Sequence, residues 1–280
     1  MKLIESSVEL LKQEPGMSGI NKMIELAGRT CYKSEDKITE DSAEAFVQRM
    51  INSHHTAMLE HGTVYLKLPP VISSNEVPNS FNFMYNPYSK VVVNGYDADY
   101  VTTNYRVLIE NNWTEFLKYL CEPTEFHERR ITLRFQANIH FYKDATRHRK
   151  HSFAIESTRW LNYMKEKFGM SITFMKPTWI KPEDLPELEE DCKIIESIYS
   201  KWINKGYKAE HAAYFLNQGV AATIVITAFA SDWRHFFDLR YFEKTGKVHP
   251  DMLDIVTKAK NVLEENELWD YIMSFPSKFD

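Results

Sequence analysis

From Ile131 to Phe141 apolar and polar residues alternate without a break. Ile131, Leu133, Phe135, Ala137, Ile139 and Phe141 fall on one face; Thr132, Arg134, Gln136, Asn138 and His140 fall on the other. A period of two is that of a half-buried strand, so this stretch predicts one. Gly62 to Leu68 alternates in the same way and runs into Pro69 and Pro70. Proline donates no hydrogen bond to a ladder, so a strand ends there. Gly219 to Ala230 is the longest apolar run, broken only by Thr223 and Thr227, but its twelve residues are too few to span a bilayer. It predicts a buried core element.

Helical spacing governs other segments. Phe46, Val47, Met50 and Ile51 form a stripe within Asp41 to Asn52, with Asp41 placed to cap and Glu44 three residues on. Cys192, Ile195, Ile198, Tyr199 and Trp202 form a second within Asp191 to Lys205, with Gly206 as its stop. Met252 to Leu263 predicts a third helix. Asn75 to Asp99 is rich in Asn, Pro, Ser and Tyr and contains Asn94-Gly95, a hairpin signal. Thr103 to Leu120 reads as helical. Residues 69 to 125 are therefore expected to form an excursion from the main architecture. With no repeat, low-complexity tract or linker, residues 1 to 280 are expected to be a single domain.

Composition narrows the class. With 44% hydrophobic residues, 17 Phe, 15 Tyr, 6 Trp and only 9 Gly, long disordered stretches are excluded. A net charge of -5 argues against a protein that coats a nucleic acid polymer. The three cysteines, Cys31, Cys121 and Cys192, are far apart and offer neither a disulfide framework nor zinc spacing. A reducing cytoplasm is the expected location. The N-terminus carries acidic residues where a signal peptide would be apolar, and no segment calls for a membrane.

Against this acidic background, Arg147 to Trp160 reads RHRKHSFAIESTRW. Arg147, Arg149, Lys150 and Arg159 gather here with Ser157 and Thr158. Arginine's planar fork matches phosphate oxygens, and hydroxyls add further bonds. A phosphorylated ligand is the natural partner, and there is charge enough for two anions. The competing reading is a solvated basic face with local ion pairs.

The spacing Arg147-His148-Arg149, seven residues, Ser157, then Arg159, resembles the signature of the flavin-dependent thymidylate synthases. GRTCYKS (Gly28 to Ser34), HHTAMLEH (His54 to His61), GYKAEHA (Gly206 to Ala212) and SDWRHFFDLR (Ser231 to Arg240) resemble further segments of that family, in its order. The resemblance implies an α+β fold with a mixed or antiparallel sheet and packed helices, assembled as a homotetramer. It implies methylation of dUMP to dTMP, with methylene-tetrahydrofolate as carbon donor and FAD, reduced by NADPH, as hydride carrier. No cysteine attacks the pyrimidine in that family.

Roles follow residue by residue. Arg147 is expected between flavin and nucleotide, His148 and Arg149 on FAD, and Ser157 and Arg159 on the nucleotide phosphate. Arg240 is expected against the pyrimidine, stabilising negative charge as C5 becomes nucleophilic. Cys31, His55, Glu60 and His235 align with flavin-lining positions, and His249 with the family's late flavin histidine after a shift. Blander readings compete for some of them. Cys31 can be a small core residue, Glu60 a surface pair, and His61 a partner of neighbouring backbone.

The departures cluster near the substrate. Ala154 and Ile155 stand where the family has a polar pair such as Asn-Glu, Asp144 where it often has Gln, and Ala213 where it has an arginine. Losing such a charge-assisted contact costs about 1.5 to 3 kcal/mol. Either Lys208, Lys205 or a base of the 69 to 125 segment replaces the charge, or the substrate is UMP, dCMP or a modified pyrimidine nucleotide. A binder that has lost catalysis is the alternative from another class.

Overall fold

The computed structural model describes residues 1–70, 80–94 and 97–279. At its centre lies a four-stranded sheet ordered β2-β6-β9-β7: Ser7–Leu11, Arg130–Asn138, Ala221–Phe229 and Ser152–Ile155. Every neighbouring pair is antiparallel, with Arg130 opposite Phe229 and Asn138 opposite Ala221. The alternation read in the sequence sets the faces. Ile131, Leu133, Phe135 and Ala137 pack on one side against α8 (Ala230–Arg240), α9 (Pro250–Glu265) and α10 (Trp269–Met273), through Trp233, Phe236, Phe237, Ile255 and Ile272. The other side takes α1 (Gly16–Cys31), with Ala27 on Ala154 and Val225.

The strand ends earlier than its pattern. Asn138 accepts a hydrogen bond from the Phe141 N–H at 2.8 Å and caps α5 (Ile139–Ala145). A capping side chain offers the backbone an alternative to the ladder. Ile139, His140 and Phe141 are therefore helical, and one short helix separates the strand from the arginine-rich stretch.

A second sheet orders β3-β5-β4, Thr63–Leu68, Ala98–Asn104 and Lys90–Asn94. Around it pack α2 (Ser42–Asn52), α3 (Phe81–Met84) and α4 (Tyr105–Glu110), with Phe83, Val101 and Leu108 joining Ile20 and Ile24 of α1. Gly62 is fixed by this packing, since a Cβ there would sit 2.7 Å from Ile24 Cδ1. β4 and β5 pair as a hairpin with Asn94 opposite Ala98, while Gly95 lies outside the described residues, as do residues 71–79. The helix expected over Thr103 to Leu120 is shorter. Thr103 and Asn104 belong to β5, Asn104 caps α4 by accepting from Val107 N, and a single 3-10 turn follows at Thr114–Tyr119.

The third layer pairs β1 (Lys2–Ile4) in parallel with β8 (Thr173–Met175), covered by α6 (Leu185–Asn204) and α7 (Ala209–Ala212). Cys192 and Tyr199 are the buried residues of α6, and Gly206 follows it at φ +88°. α6 starts six residues before the expected Asp191, with Pro186 in its first turn, where a missing N–H costs nothing. Two caps differ from the sequence reading. Asp41 makes no side-chain cap; Ser42 Oγ instead accepts from Thr39 N and donates to Glu25. His249 caps α9, its Nδ1 accepting from Asp251 N at 3.2 Å. The architecture is α+β, built from antiparallel sheets and packed helices with one parallel strand pair. Among the described residues no helix is long and apolar enough to cross a membrane.

Candidate functional site

α5 and α8 bring together the residues that the arginine-rich motif and the C-terminal segment supply. A turn after α5 (Arg147 N to Asp144 O, His148 N to Ala145 O) folds the His148 ring inward. It lies 4.8 Å from Phe236, 5.3 Å from His151 and 6.0 Å from His235, centroid to centroid. Arg240, at the end of α8, donates from Nε to His148 Nε2 at 3.3 Å and from Nη2 to the Asp144 carbonyl at 3.1 Å. Its Nη1 lies 3.7 Å from the Asp144 carboxylate. The guanidinium is thus held on three sides, and side-chain exposure of 18% leaves one edge open.

This geometry fixes the imidazole. Nε2 accepts, so the His148 proton sits on Nδ1. Burial first, then the neighbouring His151 and Arg240, push its pKa down to about 3. His148 is a neutral acceptor at neutral pH. The acid at position 144 does not confront an incoming phosphate alone; it is engaged by Arg240.

Arg147, Arg149 and Lys150 are exposed beside this group, and none makes an ion pair with a described residue. Local pairing, the bland reading of the basic run, holds for Arg159 only. Its Nη2 lies 3.4 Å from Glu210 Oε2 at the start of α7. Lys208 and His211 also face Glu210, at 3.9 and 4.0 Å. Lys205 instead lies over the Trp202 ring, 5.0 Å from its centroid. Ala213 follows directly on α7.

Ser157 docks elsewhere on the same strand's continuation. Its N–H donates to the Cys31 carbonyl at 2.9 Å, joining the motif serine to the end of α1. One residue earlier, Glu156 is buried and heavily bonded. Lys33 Nζ lies 2.9 Å from it, Thr223 N donates at 3.0 Å and the Tyr163 hydroxyl at 3.4 Å. Burial, and then the charge of Glu156, push the Tyr163 phenol far up. The sequence reading gave Glu156 no role. Its signal was available, since Ser152, Ala154 and Glu156 lie on one alternating buried face. Cys31 is held near Met58, and burial raises its thiol to about 11, so it carries no thiolate at neutral pH.

Other expected residues stand apart from Arg240 and His148. His55 is exposed ahead of a 3-10 turn. Glu60 accepts from Arg106 Nη1 at 2.5 Å, a partner supplied by α4. His249 caps α9, with its ring 4.5 Å from that of His140. His235 does join the cluster, and its Nδ1 is buried without a hydrogen-bond partner. His61 has a side-chain partner, its Nδ1 lying 2.8 Å from Thr227 Oγ1, and the Phe153 backbone also bears on its ring.

The sequence model of the family described as thymidylate synthase complementing protein matches residues 88–258, more than half of the chain. The chain belongs to this family. A flavin-dependent thymidylate synthase of Pyrococcus furiosus is 33% identical over 102 residues, which cover 35% of this chain and 40% of that protein. Among solved structures, the UMP/dUMP methylase PolB of Streptomyces cacaoi, bound with 5-Br dUMP, aligns over 98% of both chains at 14% identity and a TM-score of 0.47. The same methylase with 5-Br UMP gives 14% identity and a TM-score of 0.46, over 97% of this chain and 95% of that one. The family match begins at Tyr88, inside the 69 to 125 segment, and spans the arginine-rich motif, the Glu210 segment and Arg240.

The buried imidazoles of this family member set its acid stability. Burial holds His61 and His148 at about 3 and His151 at about 4. Unfolded, each returns to about 6.5. Above pH 7 both states are neutral and these groups contribute no pH dependence. Below 6.5 the unfolded chain binds protons that the fold refuses, so stability falls with pH until about 4. Calorimetry should show a falling melting temperature from pH 6.5 to 4.5, with proton uptake on unfolding approaching about three near pH 5. A flat profile would contradict neutral burial.

Proposed function

We propose that this protein is a flavin-dependent thymidylate synthase. It converts dUMP to dTMP, using methylene-tetrahydrofolate as carbon donor and FAD reduced by NADPH. One observation carries the reading: the Arg240 guanidinium, fixed by Asp144 and a neutral His148, lies beside exposed cations that no described acid pairs.

The residues fit an anionic flavin dinucleotide. Arg147, Arg149 and Lys150 offer charge for phosphates, and the orphaned His235 Nδ1 offers a polar contact for a ligand atom. His148, Arg149 and His235 would hold FAD, with Cys31, His55, Glu60 and His249 as further lining residues in the assembled homotetramer. Bound there, the flavin supplies the hydride. Arg147 bridges flavin and nucleotide. Arg240 presents a fixed cation to the pyrimidine and stabilises the negative charge that develops there. Ser157 donates its hydroxyl, and Arg159 its fork, to the nucleotide phosphate. The protonated Cys31 leaves the pyrimidine without a thiolate nucleophile at this point. The reading includes a single domain over residues 1 to 280, with 69 to 125 as its excursion, working in the cytoplasm.

Lys208, drawn toward Glu210 beside Arg159, is the base we assign to replace the arginine missing at Ala213. Ala213→Arg should therefore leave the dUMP dissociation constant within about threefold, because one charge-assisted contact is already made. A gain of about tenfold or more in calorimetric titration would mean the contact is missing and the pyrimidine is different. The flavin reading itself is tested by reconstitution. The purified protein should take up FAD and be bleached anaerobically by NADPH. Bound flavin that NADPH cannot reduce would favour the non-catalytic binder.

A further inference from the structure

Residues Ser277 to Phe279 reach the candidate site, a feature that the family resemblance did not supply. After α10, Ser277 Oγ donates to Asp238 Oδ2 at 2.8 Å, and Phe279 N donates to Ser277 Oγ at 3.1 Å. Asp238 is fully buried on α8, where Arg234 Nη2 approaches its other oxygen at 3.4 Å. The tail is therefore pinned to the helix that carries His235 and Arg240. The pin lays the Phe279 ring over His235, centroids 6.0 Å apart and planes 15° apart. Phe279 remains 41% exposed, so its outer surface is free to meet a ligand.

Lys278 sits between these two anchors. It is exposed and makes no ion pair with a described residue. Its charge reaches both His148 and His235 and disfavours their protonation. The tail thus brings Lys278 to bear on His235 together with Lys150, beside the run that carries Arg147 and Arg149. Like charges acting on one ring repel one another. An arriving polyanion relieves that repulsion; of the described acids, Asp232 and Asp238 of α8 also act on the His235 ring. Asp144 is engaged by Arg240, and Asp238 by Ser277 and Arg234.

We propose that Lys278 and Phe279 are part of the flavin site. The Lys278 ammonium contacts the dinucleotide phosphates, and the Phe279 ring forms with His235 an aromatic wall for one of its ring systems. This deepens the flavin reading above and rests on it.

The test is FAD affinity of the full-length protein, followed by flavin fluorescence at several salt concentrations. Both side chains are exposed, so the variants should melt like the wild type. Lys278→Gln should weaken FAD binding by about tenfold and flatten its salt dependence, as loss of one charge-assisted contact predicts. Lys278→Arg should restore it. Phe279→Ala should weaken binding by about fivefold, while Phe279→Tyr holds it, because an aromatic face is what is used. Affinities within twofold of wild type for both Lys278→Gln and Phe279→Ala would overturn the proposal. Tighter binding in either would also overturn it, since the tail would then be a cover. A wild-type protein that binds no FAD would instead overturn the flavin reading itself.

Discussion

Arg240→Ala should lower the rate of pyrimidine methylation by about a hundredfold to a thousandfold, the usual cost of removing a preorganised charge from a reacting centre. The side chain is prepared for that role. Asp144 takes two of its nitrogens and His148 the third, so the cation does not have to reorganise when charge develops on the ring. Arg240→Lys should recover little, because one ammonium cannot reproduce a fork that meets a carbonyl, a carboxylate and an imidazole together. Single-turnover kinetics would separate this loss from weakened binding. The His148 resonances provide a second readout. Without Arg240 its pKa should rise from about 3, yet stay below 6.5, because burial is the larger cause. A variant with wild-type turnover would remove Arg240 from the chemistry.

The second large effect concerns stability. Glu156→Ala should destabilise the fold by about 3 to 5 kcal/mol, the cost of breaking a buried ion pair from one side. Three groups lose their acceptor at once: Lys33, Thr223 N–H and Tyr163. Glu156→Gln keeps an oxygen for Thr223 N and should cost less. Urea denaturation measures both. Because Ser157 follows directly and docks on Cys31, nucleotide binding should weaken alongside stability. A loss below about 1 kcal/mol would mean the pair is worth no more than a surface one.

Much of the frame was legible in the sequence for physical reasons. The alternation at Ile131 to Ala137, the apolar run at Ala221 to Phe229 and the stripe around Cys192 are periodic signals, and each became the element it predicted. Where a local side-chain bond overrode the pattern, the reading failed. Asn138 ended a strand whose alternation continued to Phe141, and Asn104 held Thr103 and itself at the boundary of β5. Asp41 was placed to cap, but its side chain accepts no helix N–H, and Ser42 instead ties back to Thr39 ahead of the helix. At the candidate site, the family resemblance marked Arg147, His148 and Arg240. It could not show that Asp144 would engage Arg240, because that contact joins α5 to α8 across 96 residues of chain. Lys278 and Phe279 carried no motif at all. Their place follows from one hydrogen bond between Ser277 and a buried aspartate.

The central claim is a specific methylation, and product mass tests it most directly. The protein is incubated with FAD, NADPH, methylene-tetrahydrofolate and a mixture of dUMP, UMP and dCMP, and the nucleotides are weighed. The account predicts that dUMP alone gains one methyl group and becomes dTMP. Methylation or hydroxymethylation of another nucleotide, or no product while flavin remains bound, would contradict it.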